Sequence, residues 1–337
     1  MSDLMPLERQ VPMLCLRAPA KLNLFLDILG KRADGYHEIV TVMVALSLHD
    51  TLRFTEESSG EIRLRVHHAA RSSRAGAEAG GEVPKGRDNL VVQAAELVRQ
   101  ACGVTRGVTI DLFKRIPTAA GLAGGSSDAA TTLIGLNRFW SLNRSRSDLA
   151  DWAARLGSDV GFFLSPTGAA LCRGRGEQVQ PLCLPQALHF VIARPASGLS
   201  TALVYRHCRP SAAPRPVEPL LESLRQGRLK RAANEFYNAL EEPAQKLNPD
   251  VVRLNHQFAK QPMLGHQMSG SGTSHFGLCS TRRQALLVAA RLRAAGSGQV
   301  FVGHSRPPDS MGLPPSPGIR LPVADPRTVR RTGRGNQ

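Results

Sequence analysis

The sequence predicts a mixed fold of strands and helices without the regular βαβ rhythm of a doubly wound sheet. Three observations predict it. Strand-like runs occupy Leu16 to Ile28, Thr41 to Leu48, Thr51 to Phe54, Ile62 to Val66 and Val108 to Phe113, with helical segments between and after them. A second block opens at His189-Phe190-Val191-Ile192 and closes with a helix over Arg282 to Ala295 and a strand over Gln299 to Val302. At 337 residues and 42% hydrophobic content, the chain is long enough for two domains, each burying its own core.

Residues 1 to 14 read as a flexible leader, with ordered structure expected from Cys15. The first strand separates its faces by a period of two: Leu22, Leu24, Leu26 and Ile28 on one side, Lys21, Asn23, Phe25 and Asp27 on the other. Taken alone, that polar face reads as solvated. Residues 69 to 87, AARSSRAGAEAGGEVPKGR, are small and polar and predict a long exposed loop.

The segment from Ile116 to Trp140, IPTAAGLAGGSSDAATTLIGLNRFW, carries the strongest signal. Gly121, Gly124 and Gly125 let backbone N–H groups close around an anion, Ser126, Ser127 and Asp128 suit a helix's first turn, and Ala129, Leu133, Leu136 and Trp140 recur at helical spacing. A loop of this kind hands phosphate to a helix N-terminus, where the dipole and free N–H groups favour negative charge. A capped helix after a glycine-rich turn would look the same. No Walker A pattern occurs and no G-x-G-x-x-G follows a strand, so P-loop and Rossmann chemistry are excluded.

Next comes a helix with Leu149, Trp152, Ala153 and Leu156 on one face, ended by Gly157. Asp159 follows, between that stop and the apolar Val160, Phe162, Phe163 and Leu164, where a carboxylate needs a cap, a salt bridge or a chemical task. Gln267 to Cys279, QMSGSGTSHFGLC, predicts a tight turn entering a strand. From residue 306 the chain holds seven of its 23 prolines and six arginines, which predicts a disordered basic tail.

Six cysteines without a C-x-x-C pair argue against a zinc site or a disulfide framework and read as reduced, mostly buried thiols. The longest apolar stretch, Ile39 to Leu48, is about half of a membrane span, and the opening residues lack a signal-like apolar run, so a cytoplasmic protein without membrane contact is expected. The formal charge is +16, but just two Trp and three Tyr accompany it, too few for a base-stacking platform. Anionic small molecules therefore fit the charge better than nucleic acid.

Pro19 to Asn23 (PAKLN), Gly121 to Ala130 (GLAGGSSDAA) and Ser269 to Gly277 (SGSGTSHFG), in that order, resemble the three motifs of the GHMP kinases. Within that superfamily, Gly35 to His37 (GYH), Leu156 to Phe163 (LGSDVGFF) and Gly174 to Leu182 (GRGEQVQPL) resemble the diphosphocytidyl-methylerythritol kinases. The resemblance implies an α+β, two-domain enzyme: a ribosomal-S5-domain-2-like N-terminal domain over residues 15 to 184 and a ferredoxin-like C-terminal domain over 185 to 305. It implies phosphoryl transfer from ATP, with Mg²⁺, to the 2-hydroxyl of a cytidine-diphosphate-linked methylerythritol in isoprenoid precursor synthesis.

Residue by residue, it implies Asp159 as general base with Lys21 beside it. It implies a triphosphate site made of Pro117, Thr118, Ala119, Ala120, Gly121, Leu122, Ala123, Gly124, Gly125, Ser126 and Ser127, with Asn89 by the nucleoside and Ser127 the candidate near the metal. Asn23 and Thr201 would line the acceptor side, and Tyr36 and His37 would recognise the cytosine. Another GHMP kinase, or a non-catalytic basic nucleic-acid-binding protein on the same fold, are the competing readings. Six positions depart from the usual pattern: Ala119 and Ala123 in place of glycines, Ser158 and Gly161 around the aspartate, His275 at an apolar place, and Ala239 in Asn238 to Glu242 (NALEE) where an Asp is usual. Ala119 and Ala123 require either φ < 0 or strain.

Overall fold

The structure is a computed structural model and describes residues 13 to 68, 83, 84, 86 to 211 and 213 to 305. Most of the expected leader, most of the expected 69 to 87 loop and the whole expected tail lie outside the described residues.

Two sheets organise the chain. The first is seven-stranded. It runs in the order β3 (Ile62–His68), β4 (Gly107–Lys114), β2 (His37–Glu57), β1 (Met13–Lys31) and the two-residue β8 (Tyr237–Asn238). β5 (Ala169–Gly174) also pairs with β2, and β6 (Gln178–Pro181) with β5. β2 is one continuous strand where the sequence suggested two, because it changes neighbours midway: Ile39 to Val44 pair with β5, Thr51 to Glu57 with β4. The second sheet has four strands, in the order β11 (Gln299–His304), β7 (His189–Arg194), β10 (His275–Cys279) and β9 (Gly265–Met268).

Helices α1 (Leu90–Cys102), α2 (Gly124–Phe139) and α3 (Arg146–Leu156) share one core with the first sheet, built on Phe54, Val98, Leu112, Leu133 and Leu136. The sheets share a second core, where Leu22, Leu24, Val42 and Val44 meet Phe190, Ile192, Phe276 and Leu278. The far face of the smaller sheet is covered by α8 (Pro249–Ala259) and α9 (Arg282–Ala294) through Leu254, Phe258, Val288 and Leu292. Between β7 and β9 in the chain lie α4 (Thr201–His207), α5 (Glu218–Arg225), α6 (Leu229–Asn234) and α7 (Glu241–Leu247), with β8 between α6 and α7.

The polar face of β1 is not solvated. Lys21, Asn23 and Asp27 are all buried, since β1 is an interior strand flanked by β2 and β8 and joined to the second sheet. A register shift between Asn23 and Phe25 also breaks the alternation, so Phe25 shares a core with Leu22 and Leu24. All six cysteines are free, but only Cys172 and Cys279 are buried; Cys15 and Cys183 are exposed. Among the described residues no helix is long and apolar enough to cross a membrane.

Candidate active site

A cleft of about 1040 Å³ opens where β1, the glycine-rich loop before α2, the loop after α3, α4 and the β9–β10 turn converge. Its floor is Lys21. The Lys21 ammonium donates to Asn23 Oδ1 at 2.5 Å and stands 3.6 Å from the Asp159 carboxylate. Asn23 is itself oriented, its Nδ2 donating to Thr41 Oγ1 at 2.9 Å while that hydroxyl donates to Phe25 O. An ammonium has three donors, so a buried lysine with one hydrogen bond and one ion pair retains capacity for an incoming anion. Asp159 reaches the cleft because Gly157 ends α3 in an extended conformation and the chain turns before the short helix Gly161–Leu164, whose Phe162, Phe163 and Leu164 are buried.

Two loops close over this floor and are stitched to it. Lys21 N donates to Leu122 O at 3.1 Å, Ser269 Oγ donates to Gly121 O at 3.0 Å, and Ser274 N donates to Ala120 O at 3.2 Å. The contact demands glycine at 121: φ is 72°, and a Cβ there would lie 2.1 Å from Ser269 O. The first N–H groups of α2 face no intrahelical acceptor, which makes this end an anion site. Ala119 and Ala123 adopt φ of 49° and 53°, so the loop accepts left-handed strain at both alanines. That conformation costs an L-residue roughly 1–2 kcal/mol.

Behind the loop, the buried Lys114 ammonium donates to Asp50 at 2.5 Å and to Asp128 at 2.7 Å, and Asp50 also accepts from Arg115 N and Ile116 N. Burial works against the charged Lys114, but Asp128 and Asp50 outweigh it and raise its pKa. Burial pushes Asp128 up, because a lysine shared with the better-bonded Asp50 does not fully compensate it.

The outer part of the cleft is aromatic and cationic. The Tyr36 ring is 52% exposed and carries the Arg175 guanidinium over it at 4.7 Å, while His37 and Tyr205 rings lie 5.2 Å apart. Burial, with Lys31 nearby, lowers the His37 pKa and keeps its imidazole neutral at pH 7. Thr201 Oγ1 is 2.9 Å from Ser271 Oγ, tying α4 to the β9–β10 turn. Among the described residues, the cations lining the cleft are Lys21, Lys31, Lys114, Arg175 and Arg206, against one carboxylate, Asp159.

The structure therefore brings together Lys21, Asp159, Asn23, Tyr36, His37, Thr201 and the loop from Pro117 to Ser126, with Leu122 excepted. Leu122 is buried in the core between the sheets. Asn89 is outside the wall: it caps α1, accepting from Val91 N and donating to Pro84 O. Ser127 is also outside it, its hydroxyl wholly buried and without a hydrogen-bond partner.

Sequence reasoning missed Tyr205, Arg206 and Lys31, and gave no role to Arg175 although it lies within Gly174 to Leu182. It also missed Asn238, whose Nδ2 donates to Met268 O and Gly270 O and so holds the loop lying against Lys21. His275 is wholly buried beside Phe258 and His266, and burial pushes its pKa down to about 3. The approach of Glu241 to 3.6 Å is then not an ion pair, because the imidazole is neutral. No group of three His, Cys, Asp or Glu side chains among the described residues could hold a metal ion.

Comparison with known proteins converges on one family. Residues 89–166 match the GHMP kinases N terminal domain and residues 218–298 the GHMP kinases C terminal domain. A 4-diphosphocytidyl-2-C-methyl-D-erythritol kinase of Pelotomaculum thermopropionicum is 42% identical over 278 residues, spanning 82% of this chain and 92% of the relative. The Bacillus subtilis kinase of the same name is 39% identical over 263 residues, spanning 78% and 86%. A crystal structure of a 4-(cytidine 5'-diphospho)-2C-methyl-D-erythritol kinase superposes with a TM-score of 0.69 at 36% identity, covering 86% of this chain and 98% of the other. The homoserine kinase of Cytophaga hutchinsonii superposes equally well, with a TM-score of 0.70, but at 18% identity it shows the fold alone. With this identity sustained over almost the whole length of its relatives, the chain belongs to the 4-diphosphocytidyl-2-C-methyl-D-erythritol kinase family of the two-domain α+β GHMP kinases.

Proposed function

We propose that this protein transfers the γ-phosphoryl group of ATP to the 2-hydroxyl of 4-diphosphocytidyl-2-C-methyl-D-erythritol. The observation that carries the reading is the Lys21–Asp159 pair, 3.6 Å apart in a cleft that also holds an anion-binding helix end and an aromatic outer wall. Asp159 accepts the proton of the attacking hydroxyl. Lys21, held by Asn23, keeps that carboxylate in place and stabilises charge on the phosphoryl group in flight. In phosphoryl transfer, positioning and electrostatics supply most of the rate, so a well-placed carboxylate suffices as the proton acceptor.

The loop from Pro117 to Ser126 holds the triphosphate through backbone N–H groups, Tyr36 and His37 receive the cytosine, and Asn23 and Thr201 bound the acceptor. Mg²⁺, when bound, would supply positive charge that offsets the charge of the phosphates, and such a site needs only one or two protein oxygens. Asp159 and the Ser126 hydroxyl, two of the oxygen side chains lining the cleft, would suit that part; the buried Ser127 hydroxyl suits it less well. Both substrates are water-soluble nucleotides, which supports a cytoplasmic place of action, and the cationic wall supports steering of polyanions over nucleic-acid binding.

The test is ADP release by the purified protein with ATP and, in parallel, the cytidyl substrate, homoserine and mevalonate. Turnover confined to the cytidyl substrate is expected. Absence of turnover with it, or faster turnover of homoserine or mevalonate, overturns the assignment.

A further inference from the structure

We propose that Arg175 is a specificity-determining residue for the cytidine diphosphate part of the substrate, acting through Tyr36; this rests on the function proposed above. Tyr36 stands at the tip of a tight turn, where Asp34 Oδ1 accepts its N–H and its carbonyl accepts from Arg32 N. These bonds orient its backbone but do not touch its ring, and the residue is about half exposed. The Arg175 guanidinium, 4.7 Å from the ring centroid, covers one face and leaves the other for a flat base. Fixing the ring before the substrate arrives removes an ordering cost from binding.

Arg175 is itself held. It sits at the tip of the β5–β6 hairpin, where Gly176 N donates to Arg173 O and Arg175 N donates to Glu177 Oε2 at 2.6 Å. Gly174 and Gly176 supply the positive φ values, 71° and 122°, that so tight a tip needs. The same tip rests on the residue before Asp159, since a Cβ at Gly176 would come within 3.3 Å of Ser158 O. The hairpin thus relates the base platform to the reacting carboxylate. ATP, bound through the loop before α2, does not need this contact.

The experiment uses the full chain and steady-state kinetics in both substrates for Arg175→Ala, Arg175→Lys, Tyr36→Leu and the double variant Tyr36→Leu/Arg175→Ala, with calorimetric titration of CDP as a readout that needs no turnover. For Arg175→Ala we expect KM for the cytidyl substrate and Kd for CDP to rise about tenfold, with kcat and KM for ATP within about twofold. Arg175→Lys keeps the charge but not the planar stack and should fall between. The double variant should bind no worse than Tyr36→Leu, because the two residues act as a unit. Unchanged CDP affinity in Arg175→Ala, additive losses, or an equal rise in KM for ATP would overturn the inference. If the wild type fails to turn over the cytidyl substrate, the proposed function fails instead, and the CDP titrations still decide the role of Arg175.

Discussion

The floor and the outer wall of the cleft are built by different means. On the floor, Lys21 and Asn23 are about 3% exposed, sit on an interior strand, and are fixed by bonds to Thr41, Leu122 and Ser269. On the wall, Tyr36 is 52% exposed and held through its backbone turn and one stacking guanidinium. A buried polar group must be satisfied or it costs stability, so the floor is rigid and its groups are suited to the reacting atoms. A half-exposed aromatic ring loses little when empty and gains contact when filled, so the wall is suited to recognition. Floor variants should therefore change kcat, and wall variants KM for one substrate.

The largest effect that could break this contrast is on the floor. Asp159→Asn keeps the shape and removes the proton acceptor, and kcat should fall by about 10²–10⁴-fold with KM for the cytidyl substrate little changed. Steady-state kinetics in both substrates check it; full activity in this variant would remove the general base from the mechanism.

A moderate effect concerns the support behind the floor. Unfolded, His275 takes up a proton below about 6.5; folded, it stays neutral to about 3. The unfolded chain binds more protons in that window, so stability falls as pH drops from 6.5 towards 3, by up to about 1.4 kcal/mol per pH unit. His266, lowered by burial, adds to this slope, and Glu241, raised by burial, opposes it. His275→Phe should flatten the acid limb of the denaturation midpoint plotted against pH. An unchanged slope would mean that the ring is hydrated in the folded state.

The smallest effect sharpens the contrast at the loop. Ala119→Gly and Ala123→Gly relieve left-handed strain but add freedom to the unfolded chain, so each should stabilise by less than about 1 kcal/mol. Chemical denaturation reads this directly. A net loss of stability would show that the methyl groups contribute more through packing than they cost in strain.

Much of the site was legible because its parts are local. The glycine-rich loop and the helix after it occupy one stretch, and Lys21 and Asn23 fall two residues apart on one strand. Residue type and spacing left each part open to a plainer reading, and the family resemblance of the motifs in order assigned their roles. Arg175, Tyr205 and Asn238 were not legible as site residues, although Arg175 lies within Gly174 to Leu182, since each gains its role from a contact far along the chain, such as Asn238 with Gly270.

The sequence by itself determined the mixed strand and helix fold, because that depends on periodicity and local steric rules, and the order of its motifs carried the family resemblance that singled out Lys21 and Asp159. Only the tertiary structure decided that the polar face of β1 is buried. Strand order puts β2 and β8 on either side of β1 and the second sheet against it, and no local pattern encodes which strands become neighbours. The same assembly decided that Ala119 and Ala123 take positive φ, since the stitching of the loop to Lys21, Ser269 and Ser274 outweighs their local preference.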